Sequence, residues 1–460
     1  MTIKKTPHKR AVMAVLMTAV MAQFIPLNNA SAGSPDRPNI MVIMADDMGY
    51  GDISCFGSPP YKTPHLDKLA AEGMKFTDFH SNGSVCSPTR AALLTGRYQQ
   101  RAGIDGVVNA DPKENRHHGL QMSEITFAEE LGQAGYITAM FGKWHLGYEV
   151  QYNPTKSGFD EFRGYVSGNI CYQSHLDRMG IEDWWHNDKL TPEEGYCTHL
   201  ITKNTVEFIK QNKDRPFCVY VAHECVHSPF QGPNDPPVRE AGKVGDIQSA
   251  KVKDVAQAYK EMMIEMDNGV GEIVSTLREL GIDKNTLVLF FSDNGAMKLG
   301  SNAPWKGFKG SLWEGGHRVP MIAWHPDHIP AGTVSETPSM TIDIMPTLLD
   351  LAKISASTER PLDGVSLVPE LYEEKTLSPR TLYWSYRNNW VVREGEWKLF
   401  VEKKGKRQTA YFQLFNLQDD PGEEINLAKK FPKRVQKMME AYSEWITEIG
   451  QTATRQPDAP

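Results

Sequence analysis

The sequence predicts an α/β fold: a large mixed, mostly parallel sheet sandwiched by helices, then a smaller C-terminal subdomain of antiparallel sheet plus helix. Three observations predict it. Asn39–Ala45 (NIMVIMA), Phe217–Ala222 (FCVYVA) and Thr286–Phe291 (TLVLFF) are unbroken apolar runs, the pattern of strands buried on both faces. Val255, Tyr259, Met262, Met266, Val270, Ile273, Leu277 and Leu280 recur at three and four, which predicts one long amphipathic helix stopped at Gly281. After about residue 372 the pattern becomes short runs with polar turns, at Thr381–Trp384, Trp390–Arg393, Trp397–Val401 and Tyr411–Asn416. An amphipathic helix over Pro432–Glu448 closes the chain.

The N-terminus stands apart from that fold. Lys4, Lys5, Lys9 and Arg10 precede an apolar stretch, Ala11–Leu27, and Ala30-Ser31-Ala32 forms a small-residue cleavage motif. Gln23 and Pro26 interrupt the apolar stretch, which is short for a membrane span. Residues 1–32 therefore read as a cleaved signal peptide, with a periplasmic or secreted product and no membrane anchor after cleavage. The catalytic domain is expected over 36–372 and the C-terminal subdomain over 373–460. Residues 1–32 hold four basic and no acidic side chains, so their removal takes the charge from −7 to −11. Such a balance argues against nucleic acid as a partner, yet permits an anionic substrate where the pocket is locally positive. Six cysteines do not make a disulfide framework at this length. Cys171–Cys197 is the first pair expected, and no cysteine spacing matches a zinc cluster.

In chain order, β-run 39–45 ends in Asp46-Asp47, and ligands in open α/β sheets collect beyond such strand ends. A turn with an N-cap is the alternative use of the pair. A helix is expected over Leu66–Glu72, closed by Gly73. Next comes Val85-Cys86-Ser87-Pro88-Thr89-Arg90, continuing to Leu94-Thr95-Gly96-Arg97. Pro88 suits a first helical position, which puts Cys86 just before a helix N-terminus, with Arg90 about one turn on. A helix over Ser123–Leu131 and a strand over Ile137–Phe141 lead to Gly142-Lys143-Trp144-His145-Leu146-Gly147. Segment 151–200 is rich in aromatic and histidine residues, including Tyr165, Tyr172, His175, Trp184, Trp185 and His186. It serves either to stack a sugar or as a loop with its own small core. His223-Glu224-Cys225-Val226-His227 spells a zinc-protease motif, which works only on a helix. A β-rich run enters it and Ser228-Pro229 cuts it off, so a helix is not expected there. A loop over 231–250 precedes the long helix. The strand over 286–291 ends in Ser292-Asp293-Asn294-Gly295, and Trp305–Gly316 follows as W-K-G-F-K-G-S-L-W-E-G-G.

Taken together these motifs resemble the type I sulfatases, in their order, from Asn39 to Leu427. C-S-P-T-R with L-T-G-R is similar to the family signature that directs oxidation of the cysteine to formylglycine, so the resemblance implies a formylglycine-generating maturation enzyme as partner. It implies an alkaline-phosphatase-like fold and one divalent cation, Ca²⁺ before Mg²⁺, held by Asp46, Asp47, Asp293, Asn294 and the modified residue 86. Oxygen donors favour those hard ions over zinc. It implies catalytic roles for Cys86, Arg90, Lys143, His145, His227 and Lys309, with Lys143 as a sulfate clamp and His145 as a base. Lys306 stands where the family has arginine and is expected to join Arg90, Lys143 and Lys309 around residue 86. His175, Arg178, Trp184 and His317 are candidate substrate contacts. The implied activity is hydrolysis of sulfate esters from a sulfated oligo- or polysaccharide, a galactan such as carrageenan being favoured. The rivals are a phosphatase or phosphonate hydrolase of the same superfamily, and a non-catalytic polysaccharide-binding protein if Cys86 is unmodified.

Overall fold

A computed structural model of the chain describes residues 1–2, 37–246, 254–404 and 409–458. The expected signal peptide lies, from residue 3 onward, outside the described residues, as does part of the loop expected over 231–250. Among the described residues no helix is long and apolar enough to cross a membrane.

The strands run β1 (Asn39–Ala45), β2 (Met74–Phe76), β3 (Phe79–His80), β4 (Ile137–Lys143), β5 (Glu161–Tyr165), β6 (Trp185–His186), β7 (Lys189–Leu190) and β8 (Phe217–Ala222). After them come β9 (Thr286–Ser292), β10 (Met321–Trp324), β11 (Thr333–Ser335) and β12 (Ser339–Met340). The C-terminal strands are β13 (Thr381–Tyr386), β14 (Asn389–Glu394), β15 (Trp397–Lys404) and β16 (Thr409–Asn416). Ten strands form the main sheet in the order β11-β2-β10-β9-β1-β8-β4-β5-β6-β7. The central five, β9 through β5, are parallel, and β10 joins β9 antiparallel. This is the expected mixed, mostly parallel sheet.

Both faces are covered, which is why the strand sequences are apolar throughout. Ile40, Val42 and Met44 of β1 pack toward α2 (Cys86–Thr95), α3 (Phe127–Gln133) and α7 (Ile344–Leu351). Met41 and Ile43 pack on the other face, with α1 (Pro64–Ala71), α4 (Cys197–Asn212) and α5 (Val255–Glu279). Helix α5 is the expected long helix: Tyr259, Met262, Met266, Val270, Ile273 and Leu277 are all buried. Its methionines are core. Asp254 caps it by accepting from the amides of Ala256 and Gln257, and Gly281 takes the left-handed conformation just beyond its end.

Because β1, β4, β8 and β9 are parallel neighbours, their carboxyl ends lie along one edge of the sheet. Asp46-Asp47, Lys143 to His145, His223 to His227 and Asp293-Asn294 therefore arrive together, although they span about half the chain. Two glycines permit this approach. A Cβ on Gly142 would lie 2.0 Å from the Ala222 carbonyl oxygen, and one on Gly295 would lie 1.9 Å from that of Gly315.

Strands β13 to β16 form the antiparallel C-terminal sheet, backed by α9 (Pro432–Thr452). One face (Val392, Leu399, Val401, Leu414) packs under Met438 of α9. The other (Trp384, Val391, Phe400, Phe415) shares a cluster with Ala92, Leu312, Met340 and Ile342 of the preceding part of the chain.

Three local expectations are corrected. The helix expected over Ser123–Leu131 starts later, at Phe127, because Thr126 and Glu129 form a reciprocal capping box that sets its first turn. The helix expected from Pro88 starts at Cys86, with Val85 extended as its cap. Pro88 is tolerated at the third position because the first four amides of a helix have no internal partner. The expected Cys171–Cys197 bridge is absent, and both thiols are free. They point to different neighbours: Cys171 Sγ accepts from the Val238 amide, and Cys197 Sγ faces Glu224.

Candidate active site

Cys86 opens α2 with 2% of its surface exposed, so the thiol sits at the bottom of a site and not on a surface turn. Its sulfur lies 3.3 Å from Lys309 Nζ and 3.5 Å from Asp46 Oδ1. Burial and then the Asp46 carboxylate push this thiol up to about 12. As a plain cysteine it is a neutral thiol at physiological pH, and a poor nucleophile.

Around it three carboxylates face three fixed cations. Lys143 Nζ pairs with Asp46 Oδ2. Arg90 Nη2 lies 3.0 Å from Asp293 Oδ2 and 3.5 Å from Asp46 Oδ2. Lys309 Nζ lies 2.5 Å from Asp47 Oδ1. Burial alone would raise the Asp46 and Asp47 carboxyls, but the cations beside them outweigh it and hold both below the usual range. Asp293 goes the other way, because burial and the adjacent Asp46 charge outweigh Arg90. Lys143 and Lys309 stay charged, since the carboxylates outweigh the cost of burying them.

The donor set fits a hard divalent cation. Single ligand atoms of Asp46, Asp47, Cys86 and His227 lie within 4.8 Å of one another. Asn294 donates to Asp47 Oδ1 at 2.8 Å, and the Asp47 amide donates to Asp293 Oδ1 at 3.1 Å, so all four expected oxygen ligands converge. Asp47 Oδ2 and Asn294 Oδ1 are buried acceptors with no hydrogen-bond partner. Orphaned buried oxygens carry a large desolvation cost, and a cation between them would remove it. With the carboxylates already balanced by Arg90, Lys143 and Lys309, a bound divalent ion would leave the site net positive, suited to an anion.

The two histidines differ in what they offer. His145 Nε2 lies 3.0 Å from the Val108 carbonyl oxygen, which only accepts, so Nε2 carries the proton. Nδ1 is then a buried lone pair without a partner. Burial, followed by Lys143 and Arg90, holds His145 well below the ordinary histidine range, so it is neutral near pH 7. His227 Nδ1 donates to the Ser228 carbonyl at 2.6 Å, leaving Nε2 3.7 Å from Asp47 Oδ2. Both histidines line one cavity of about 150 Å³, together with Asn109, Asn169 and Arg178. His223 is not near it as a ligand: β8 runs straight into that segment, no helix forms, and the zinc arrangement does not arise.

Other expected residues are used differently from the expectation. Arg90 is fully buried, its Nη1 donating to the Lys143 carbonyl and its Nη2 to Asp293. It braces the carboxylates from behind and does not present a fork to a ligand. Lys306 turns away from residue 86, donating to the Glu423 carbonyl and sitting 3.9 Å over the Trp313 ring. Trp184 has no exposed surface, and His175 stacks on it with ring centroids 4.6 Å apart. Segment 165–186 has its own small core there, so neither ring is open to a sugar.

His317 belongs to a separate buried network between the two parts of the chain. Its Nδ1 lies 3.0 Å from His80 Nδ1, and Asp78 bonds His80 and Arg393. Lys398 Nζ lies 2.8 Å from both Glu314 Oε1 and Glu423 Oε1. Although His80, Glu314 and His317 are close enough to share a metal, the Lys398 ammonium already supplies the cation there. None of Asp78, His80, Arg393 or Lys398 stands out in the sequence. Asn169 and Arg239, described below, are also silent there, lying in loops without a motif.

A family model described as Sulfatase matches residues 38–354, and one described as N-sulphoglucosamine sulphohydrolase, C-terminal, matches residues 307–449. N-acetylgalactosamine-6-sulfatase of Canis lupus familiaris is 33% identical over 447 residues, covering 86% of this chain and 83% of that one. The crystal structure of Ps i-CgsB is 30% identical with a TM-score of 0.78, covering 89% of this chain and 92% of that one. The structure of Ps i-CgsB in complex with k-i-k-neocarrahexaose is 29% identical, with a TM-score of 0.77 and the same coverage.

Proposed function

Since the chain belongs to the sulfatase family, the formylglycine-dependent sulfuric ester hydrolases of alkaline-phosphatase-like fold, we propose that it removes sulfate from a sulfated galactan of the carrageenan type. The chain hydrolyses sulfate esters of a sulfated carbohydrate, and a galactan is the carbohydrate we propose. The observation that carries the chemistry is Cys86 held between Lys309 and Asp46 beside two orphaned oxygens. The C-S-P-T-R run at residues 86–90, at the start of a buried helix, supports formylglycine at residue 86 and a maturation enzyme to make it. Two relatives support the sugar: one is named for N-acetylgalactosamine 6-sulfate, the other was solved with neocarrahexaose, and both sugars have galacto configuration. The N-terminal pattern supports a periplasmic or secreted address, where such polymers are met.

The residues then divide the work. One hydroxyl of hydrated residue 86 passes its proton to Asp46, whose Oδ1 stands 3.5 Å from the Cys86 sulfur, and attacks the sulfate sulfur as the bond from that sulfur to the sugar oxygen breaks, while Lys143 and Lys309 face the sulfate oxygens and stabilise their charge. Arg90 positions the carboxylates. Lys309, which carries its proton, or His227 once protonated, protonates the departing sugar oxygen. The Nδ1 lone pair of His145 takes the proton of the second hydroxyl, expelling sulfate and restoring the aldehyde. A divalent cation, when bound by Asp46, Asp47, Asp293 and Asn294, supplies Lewis-acid stabilisation of the same oxygens.

We assign that cation as Ca²⁺. Added at one hundred times its Kd it should stabilise the chain by about 2.7 kcal/mol, read as a rise in Tm, and Asp47→Ala should abolish the rise. A Tm indifferent to Ca²⁺ but raised by Mg²⁺ would reassign the ion.

The substrate is tested by incubating matured enzyme with sulfated galactan oligosaccharides, an aryl sulfate and an aryl phosphate, and measuring released sulfate and phosphate. Sulfate should be freed from the glycan near its chain ends, with the aryl sulfate a poor substrate. Sulfate freed only from the aryl ester would defeat the glycan reading, and faster phosphate release would favour the phosphatase rival.

A further inference from the structure

Beside the two histidines, the cavity wall is built from Ser167, Gly168, Asn169 and Arg178. Arg178 is exposed, and among the described residues it has no carboxylate partner, so its guanidinium is free for a ligand. What holds this wall in place is a residue outside the cavity. Arg239 is 3% exposed, and its guanidinium is fully engaged. Nη1 donates to the carbonyls of Asn169 (3.2 Å) and Leu176 (3.1 Å), Nη2 donates to Asn169 Oδ1 (3.0 Å), and Nε donates to Asp246 (2.8 Å). The Asn169 side chain in turn donates to the Ser228 carbonyl at 3.1 Å, the same carbonyl that orients His227. The segment after Arg239 also stitches the Arg178 loop from behind, through Gly242 N to the Gly180 carbonyl and Gly245 N to the Arg178 carbonyl.

We propose that Arg239 is a positioning residue for substrate recognition: it locks Asn169 and the Arg178 loop so that Arg178 meets the sugar carrying the scissile sulfate. The planar fork is what the task needs, because four acceptors, on Asn169, Leu176 and Asp246, must be reached from one buried point. A lysine ammonium is a single point charge and does not span them. The group met by Arg178 is a sugar hydroxyl or a second sulfate, both of which accept from a guanidinium. Arg239 touches neither the reacting atoms nor the ligand, so its effect falls on binding of the glycan more than on cleavage. This inference rests on the carbohydrate-sulfatase reading given above.

The test compares matured wild type, Arg239→Lys, Asn169→Ala and the double variant, on a sulfated galactan oligosaccharide and on an aryl sulfate. In Arg239→Lys the ratio of kcat/KM for the glycan to that for the aryl sulfate should fall at least tenfold. The loss should appear as a raised glycan KM, with kcat within about threefold. In the double variant the losses should fall short of multiplying, because part of the Arg239 effect passes through the Asn169 side chain. Thermal unfolding of each variant checks the fold, and if Arg239→Lys fails to fold, Arg239→Gln carries the same ratio test. Equal losses on both substrates, or multiplying losses in the double variant, would overturn the proposal. A wild type that frees sulfate from no glycan would instead overturn the substrate reading, before any variant is made.

Discussion

Cys86→Ala should abolish turnover, by about 10⁴-fold or more, while the chain keeps its fold and its Tm. The change removes the atom that becomes the nucleophile. Lys143, Lys309 and His145 remain, but with no attacking group their charge stabilisation has nothing to act on. The fold should tolerate the substitution because alanine suits a helix interior, and among the described residues the sulfur's polar contacts are two long ones, to Lys309 and Asp46. Turnover within about tenfold of wild type on a sulfated substrate would sink the covalent mechanism. Cys86→Ser separates the two parts of the idea. It restores a hydroxyl of normal size, yet it cannot form the hydrate that releases sulfate in the second step, so multiple turnover should stay lost while stability is kept.

Lys398→Met should cost about 3–5 kcal/mol of stability, measured by urea unfolding. Lys398 has no exposed side-chain surface and stands 2.8 Å from both Glu314 and Glu423. Removing it leaves two carboxylates buried against one another, which is the expensive way to break a buried pair. Glu314 still has Arg318 at 3.3 Å and Arg393 at 3.7 Å. Glu423 loses its ammonium partner. A loss below about 1 kcal/mol would show that the network between the two parts of the chain carries little of their mutual stability. The sign with pH follows from Glu314, whose carboxyl is held well below the usual range: burial opposes this, but Lys398 and the adjacent histidines outweigh it. A depressed carboxyl contributes stability above its unfolded value of about 4.3, and that stability is lost as pH falls through the folded value. The Lys398→Met variant should therefore show a smaller Glu314 contribution to acid destabilisation than wild type.

Most of the active site is legible in one dimension for a definite reason. Its residues sit at the ends of parallel strands that are hydrophobic throughout, so Asp46-Asp47, Lys143, His145, Asp293 and Asn294 each interrupt an apolar run or follow it directly. The polar group at such a place has no use in the core and a natural use at the sheet edge. The H-E-C-V-H spelling at 223–227 shows the limit of letters alone. The residues of a zinc motif are present, but a strand enters them and the helix that would align both histidines does not form.

Other errors share a cause. Trp184 and His175 look like a sugar platform by composition, yet burial decides whether an aromatic ring is a surface or a core, and burial depends on what packs over it. His317 and Lys306 lie close in sequence to Lys309, and each is claimed by a distant partner: Lys398 for one, the Glu423 carbonyl for the other. Lys398 carries no mark in the sequence because both faces of β15 are buried. Leu399 and Val401 go under α9 while Lys398 and Phe400 face the rest of the chain, so alternation along the strand does not mark an exposed side.

By itself the sequence determined the sheet-and-helix class, the long helix and the C-terminal antiparallel unit, and through its resemblance to the type I sulfatases it pointed to Cys86 as the candidate nucleophilic position with Asp46, Asp47, Asp293 and Asn294 as candidate ligands. All of these depend on local pattern, because apolar period, turn residues and short motifs are properties of neighbouring residues. Only the tertiary structure decided which cations face which carboxylates, that Arg90 braces the site, that Lys306 and His317 leave it, and that Arg239 holds its wall. Those outcomes depend on pairings between residues far apart in the chain, and a charge buried beside its counter-charge differs from the same charge in solvent by several kcal/mol.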